Sequence, residues 1–246
     1  MLSEQRHEMI LKVLEEKRSV TVAELTRLLD ISESTARRDI VVLDRAGKLV
    51  KVFGGAVLAD STYQAVEPTV TQRVDVNREE KRRIARYAAS LLAPQDFIYL
   101  DAGTTTGYML DFIEETGATF VTNAVAHAQR LAAKGAHVLL VGGTLKSTTE
   151  AVVGTMAALM LKDYHFTKGF FGTNGVDLTA GHTTPDANEA LVKRTAMEQC
   201  RKAYVLCDDS KFNVVSSVTF ASLPAASILT DAAPEEFKDK TDIILC

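Results

Sequence analysis

Asp30-Ile31-Ser32-Glu33-Ser34-Thr35-Ala36-Arg37-Arg38-Asp39-Ile40 is the stretch on which the fold of this 246-residue chain turns. Asp30-Ile31-Ser32 has room only for a tight turn, and Ser32 is an N-cap whose hydroxyl can accept from a free backbone N–H at a helix start. At 100° per residue Ala36, Ile40 and Leu43 share one face. Ser34, Arg38, Val41 and Arg45 then lie opposite, with Thr35 and Arg37 at the sides. Upstream, Thr21-Val22-Ala23-Glu24 has the form of a capping box, and Leu25, Leu28 and Leu29 supply a buried face behind it. Ile10, Val13 and Leu14 stripe a preceding helix. Two helices joined by a three-residue turn, the second presenting hydroxyls and arginines near its start, match the geometry that lays a recognition helix in the major groove. Arginine suits that task because its planar fork bonds guanine O6 and N7 together or clamps a phosphate. A solvated helix face with ion pairs one turn apart fits the spacing as well.

After Gly47, which ends the helix, Lys48-Leu49-Val50-Lys51-Val52-Phe53 alternates polar and apolar residues, and Gly54-Gly55 turns the chain into Ala56-Val57-Leu58. This predicts a β-hairpin wing whose Lys48 and Lys51 flank the duplex backbone. Residues 1–57 thus read as a winged helix-turn-helix domain, and Ser32, Ser34, Thr35, Arg37, Arg38, Arg45, Lys48 and Lys51 are its candidate contacts with double-stranded DNA. They carry ten Lys or Arg against nine Asp or Glu, while the whole chain has a formal charge of −4. A local basic face, not the overall sum, has to supply the attraction.

Residues 58–77 are polar, include Pro68 and lack periodicity, which predicts a linker. From Arg78 onward short apolar runs alternate with helical patterns: 97–100, 120–122, 137–141, 168–172, 203–207, 227–229 and 242–245. The expectation is a doubly wound α/β domain over 78–246. Ligands in such sheets sit beyond the carboxyl ends of the strands. There the sequence has Asp101-Ala102-Gly103-Thr104-Thr105-Thr106-Gly107, Thr122-Asn123-Ala124, Gly142-Gly143-Thr144-Leu145-Lys146, Gly172-Thr173-Asn174-Gly175 and Asp208-Asp209-Ser210-Lys211. Glycine allows close approach of the backbone, threonine donates hydrogen bonds, and a helix N-terminus attracts an anion. A single such junction is equally a helix cap; the set together favours an anionic, hydroxyl-bearing ligand, with Lys211 as counter-charge.

Hydrophobic residues make up 46% and charged residues 24%, as in a globular protein with a substantial core. No apolar run reaches the ~18–20 residues of a membrane span, and no signal-peptide pattern opens the chain, so a cytoplasmic location away from the membrane is expected. Cys200, Cys207 and Cys246 have no C-x-x-C spacing, which suggests neither a disulfide framework nor a metal site, and no cofactor is implied.

Val22-Ala23-Glu24-Leu25, the run Ile31 to Ile40 with Thr35-x-Arg37-Arg38-Asp39, and Phe53-Gly54-Gly55-Ala56 resemble the N-terminal signature of the DeoR family of bacterial repressors of sugar catabolism. Phe53 stands where the family usually has histidine, and Lys51 where arginine is common. Asp101-x-Gly103-Thr104-Thr105, Thr122-Asn123, Gly142-Gly143 and Asp209-Ser210-Lys211 extend the resemblance over the sensor domain, which is similar in fold to ribose-5-phosphate isomerase. The resemblance implies an operator-binding repressor, a dimer or tetramer, released by a phosphorylated sugar. Likeness to members that regulate fructose operons points to fructose 1-phosphate among several candidates. It implies an effector site of Asp101, Gly103, Thr104, Thr105, Thr106, Asn123, Gly143, Lys146, Thr173, Asn174, Glu189, Lys193 and Lys211. An isomerase-like enzyme carrying a DNA-binding headpiece is the alternative. Against it, the isomerase pattern Asp-Gly-Ala-Asp is replaced by Phe171-Gly172-Thr173-Asn174, and its catalytic glutamate falls near Arg194. That leaves Asp177 and Glu189 as the remaining bases.

Overall fold

The computed structural model describes residues 3–17, 19–46, 48–52, 55–58, 63–64, 69–114 and 117–246. It divides into two compact units, Met1–Val66 and Glu67–Cys246. The first contains α1 (Ser3–Lys17), β1 (Ser19–Thr21), α2 (Val22–Leu29), α3 (Glu33–Arg45), β2 (Leu49–Val52) and β3 (Gly55–Leu58). The capping box forms: Thr21 Oγ1 accepts from Glu24 N at 3.1 Å, and Glu24 Oε2 accepts from Thr21 N at 2.9 Å. Ile10, Leu14, Leu25, Leu29, Ala36, Ile40 and Leu43 close one core with Leu49 and Ala56 of the wing. Leu28, expected in that core, is 52% exposed, because Leu25 and Leu29 hold the inward face of an eight-residue helix and Leu28 lies at its margin. In the antiparallel sheet β1-β3-β2, a Cβ on Gly55 would fall 2.1 Å from Val20 O, so only glycine lets β3 close on β1. The turn residues Gly47, Phe53 and Gly54 lie outside the described residues.

The second unit starts earlier than its sequence suggests. Thr69 caps a short helix, α4 (Val70–Val74), with Gln72 completing a capping box, and Val70 N donates to Thr148 O at 3.2 Å. Tyr108 Oη donates to Val74 O, and Lys81 Nζ to Arg73 O. The linker expected over 58–77 therefore gives way by Thr69 to structure held by partners 8 to 78 residues away, a distance that no local periodicity reports.

Next come α5 (Arg78–Ser90), β4 (Phe97–Leu100), α6 (Thr104–Met109), β5 (Thr119–Thr122), α7 (Val125–Ala133), β6 (His137–Leu140), β7 (Thr144–Lys146), β8 (Ala151–Val153), α8 (Thr155–Leu161), β9 (Lys168–Gly172), β10 (Gly175–Asp177), β11 (Gly181–Thr184), α9 (Ala187–Glu198), β12 (Ala203–Leu206), β13 (Val218–Ala221), β14 (Ser227–Thr230) and β15 (Ile243–Leu245). Seven parallel strands form the sheet β15-β14-β12-β9-β4-β5-β6. Alternate side chains serve its two faces. Ile98, Leu100 and Phe170 pack on α5 and α6, whereas Tyr99, Val121, Phe171 and Val205 pack on α8 and α9. The expected doubly wound sheet is present. Two antiparallel additions accompany it, the β7–β8 hairpin and the sheet β10-β11-β13. Gly142–Lys146 and Gly172–Gly175, which read as loops, thus lead into strands only three or four residues long.

Candidate functional site

In the first unit, the Ser32 hydroxyl accepts from Thr35 N and lies 2.9 Å from both the Ser34 and Thr35 hydroxyls, ordering the start of α3. Ser34, Arg37 and Arg38 are exposed, and Arg37 pairs with Glu33 one turn back at 3.0 Å. Arg38 makes no ion pair among the described residues. Lys48 and Lys51 are exposed on the wing, and the Lys51 backbone N–H is tied to Asp44 at 2.9 Å. Arg45 closes α3, with its side chain outside the described residues. Asp39 does not share the exposed face. It is buried, accepts from Arg6 Nε and Nη2 at 2.6 and 2.8 Å, and lies 3.1 Å from His7 Nε2. The Arg6 hydrogen bonds hold its carboxyl below the usual range despite burial. Asp39 thus fixes α1 to α3 and orients the face that carries the arginines.

In the second unit the chain runs from β4 outward through β5 and β6, then crosses to β9 on the other side of β4. This is the topological switch point, where the loops after β4 and β9 diverge and leave a crevice. Asp101 follows β4 there, 1% exposed, and accepts from Gly172 N at 3.0 Å. Lys193 of α9 pairs with the same Asp101 oxygen and donates to Gly172 O at 3.0 Å. Burial raises the Asp101 carboxyl above its ordinary range even with that ammonium beside it. Beside them, Glu189 accepts from Thr149 Oγ1 at 2.5 Å, Lys146 Nζ at 3.3 Å and Thr184 Oγ1 at 3.4 Å. Burial works against its charge, but Lys193, Thr149 and Lys146 hold it below the usual carboxylate range. Asn174 Oδ1 accepts from Thr184 at 3.2 Å.

Asp101 and Lys193 on one side, and Glu189, Lys146 and Asn174 on the other, taken from loops and a helix far apart in the chain, therefore form two hydrogen-bonded groups joined into one set by the attraction of Lys193 for Glu189. Lys146 and Lys193 are not solvated surface lysines; Lys146 also lies 3.2 Å from Asp186. Several of the expected site residues support that set from within. Thr106 Oγ1 donates to Asp101 O at 2.8 Å, and Thr173 Oγ1 to Gly175 O at 2.8 Å. Asn123 ties the loop after β4 to β8, accepting from Ala102 N and donating to Val152 O. Gly143, with φ of 153°, passes so close to β8 that a Cβ would meet Val153 O at 3.0 Å. Gly103 caps α6 without a side chain, and the Thr104 and Thr105 hydroxyls of the first turn make no hydrogen bond among the described residues.

Lys211 lies apart from that set, in a single helical turn beyond β12, where its charge acts on Asp208 and Lys81. Lys81 itself is buried, donates to Arg73 O at 2.7 Å, and is pulled below its ordinary pKa by burial against the attraction of Asp208. Sequence reasoning missed it as a functional candidate although a signal existed: Lys81 is the one charge on the stripe Ile84, Ala85, Ala88. His127, also missed, is buried with its pKa lowered to about 4 by burial and Arg130. A Cβ on Gly107 would meet its Nε2 at 3.0 Å, so the imidazole packs directly against α6 at Gly107. Arg194 donates to Thr219 O at 2.6 Å and secures β13.

A winged helix-turn-helix followed by a parallel α/β unit with a polar crevice at its switch point defines a DNA-binding regulator with a sensor unit. The model described as DeoR-like helix-turn-helix domain matches residues 6–62, and the DeoR C terminal sensor domain matches 76–232. The chain belongs to the DeoR family of transcriptional regulators. It is 42% identical to the uncharacterized HTH-type transcriptional regulator FruR of Bacillus subtilis (strain 168), over 98% of this chain and 97% of that one. It is 34% identical to the putative aga operon transcriptional repressor of Escherichia coli O157:H7, over 85% and 78%. Ribose 5-phosphate isomerase A from Methanocaldococcus jannaschii is similar over 55% of each chain, with 15% identity and a TM-score of 0.42. The named relatives are regulators and not enzymes. No helix of the described residues is long and apolar enough to cross a membrane.

Proposed function

We propose that this chain represses a sugar-catabolic operon in the cytoplasm, holding operator DNA through α3 and the wing until a phosphorylated sugar binds at the switch point and releases it. The observation that carries the sensing half is the meeting of Asp101, Lys193, Glu189, Lys146 and Asn174 in the crevice between β4 and β9. Carboxylates, an amide and ammonium groups in one place suit a ligand rich in hydroxyls, which both donate and accept. The Thr104 and Thr105 hydroxyls and the cations Lys81 and Lys211 are the groups assigned to the phosphate. In the reading half, Ser34, Thr35, Arg37 and Arg38 meet base edges, while Ser32, Arg45, Lys48 and Lys51 meet phosphates. Two heads on paired half-sites require at least a dimer. The ligand acts by binding the released state more tightly than the operator-bound one.

Fructose 1-phosphate is the first candidate effector, supported by the likeness to FruR. The test is titration of fructose 1-phosphate, tagatose 6-phosphate and free fructose against a preformed complex with upstream operator DNA, followed by fluorescence anisotropy. Release by one sugar phosphate and not by free fructose supports the reading. Equal potency of free fructose removes the phosphate from it, and no specific binding to the upstream DNA overturns it.

A further inference from the structure

We infer that the outer face of α8, together with β7, is the surface on which a second copy of this chain docks. The sequence of α8, Thr155-Met156-Ala157-Ala158-Leu159-Met160-Leu161, contains no charge, and a helix apolar all round is one covered on every side. Its inner side is covered: Ala157, Ala158 and Leu161 are buried. Met156, Leu159 and Met160, at i, i+3 and i+4, share the other side and are 70%, 50% and 37% exposed. Leu145 of β7, 58% exposed, extends the patch. Continuity comes from Gly142 N, which donates to Met160 Sδ at 3.5 Å, and from Leu145, which pairs with Val152 on the strand that leads into α8.

At roughly 100–150 Å² for a fully exposed Leu or Met side chain, these four leave on the order of 200–300 Å² of apolar surface open. A standard interface buries about 800 Å² per partner, some 56–65% of it apolar. The patch thus supplies about half of the apolar part of one stable interface, and the edge of β6, unpaired among the described residues, adjoins it. The patch carries no charge among its four side chains, so it selects neither an acidic nor a basic partner. An uncharged helix face that meets its own copy across a two-fold axis satisfies both copies at once. The choice of a second copy as occupant rests on the operator-binding reading above, in which two heads must be held together.

The test is the mass of the full chain at about 10 µM, without DNA or sugar, by sedimentation equilibrium. The wild type is expected at twice or more its 26.8 kDa chain mass. M156E/L159E is expected to lower that assembly by one step, with its dissociation constant raised at least about a hundredfold. L178E, which charges an exposed leucine outside the patch, is expected to keep the wild-type mass. A monomeric wild type, or M156E/L159E with unchanged mass, overturns the inference and leaves operator binding to be judged separately. Should M156E/L159E fail to fold, M156C treated with a bifunctional maleimide replaces it, beside the parent chain as control for the native cysteines. A cross-linked dimer specific to M156C supports the interface, and its absence refutes it.

Discussion

Replacing Lys193 by methionine keeps most of the side-chain volume and removes one charge from the centre of the crevice. Asp101, 1% exposed, would then keep only the Gly172 N–H at 3.0 Å, since its other side-chain partner is the Lys193 ammonium. Breaking one side of a buried ion pair costs about 3–5 kcal/mol, because the remaining charge stays out of water. For a unit the size of Glu67–Cys246 each kcal/mol corresponds to about 2–4 °C, so the melting point of that unit is expected to fall by about 6–20 °C. The loss depends on pH. Burial raises Asp101 above its ordinary range even in the wild type, and K193M raises it further. Between the unfolded pKa near ~4 and the higher folded value, the native chain binds more protons than the unfolded one, so stability falls as pH rises through that window. The deficit of K193M is therefore expected to be smaller at pH 5 than at pH 8. K193M/D101N should recover at least half of it, because the amide carries no charge to strand. Differential scanning calorimetry of the three proteins at both pH values measures all of this. A K193M protein within about 1 kcal/mol of wild type at pH 8, with no pH-dependent gap, would refute the buried pair as the crevice's anchor.

Arg38→Ala is expected to weaken operator binding without altering the melting of either unit, since Arg38 packs against no core residue. A base contact makes the loss about 1–3 kcal/mol and dependent on one operator position, whereas a phosphate contact lowers the salt slope by about one; anisotropy titrations at several salt concentrations distinguish them. Thr105→Ala and Lys211→Ala are each expected to raise the sugar phosphate needed for half-release by about ten- to a hundredfold, with affinity for operator alone unchanged. Release of both variants at the wild-type concentration would place the phosphate elsewhere. A fragment beginning at Glu67 should melt higher than one beginning at Arg78, which lacks the Val74 acceptor for Tyr108 and the Arg73 acceptor for Lys81. Equal melting points for the two fragments by circular dichroism would show that α4 adds no stability.

The sequence by itself determined most of the features whose physics is local. The capping box Thr21/Glu24, the Ser32 cap and the Ala36/Ile40/Leu43 stripe are decided within one or two helical turns, and all three stand in the structure. The seven strands of the parallel sheet were legible for a similar reason, since short apolar runs spaced by helices admit few other arrangements. Their loops pointed to Asp101, Asn123 and Asn174 because chemistry in such sheets gathers at strand ends. Tertiary structure alone decided which charges are buried together. Lys146 and Lys193 read like any surface lysine, yet they face Glu189 and Asp101 across 43 and 92 residues of chain. Asp39 belongs to the Thr35-x-Arg37-Arg38-Asp39 run, but only the fold buries it against Arg6, 33 residues earlier. Lys81 and His127 were missed because burial is set by what packs over a residue. The linker was drawn too long because α4 is only five residues and draws its support from Thr148, Tyr108 and Lys81. Helix periods and caps are short-range energies written in neighbouring residues, whereas burial and ion pairing depend on which distant segments the fold brings within a few ångströms of each other.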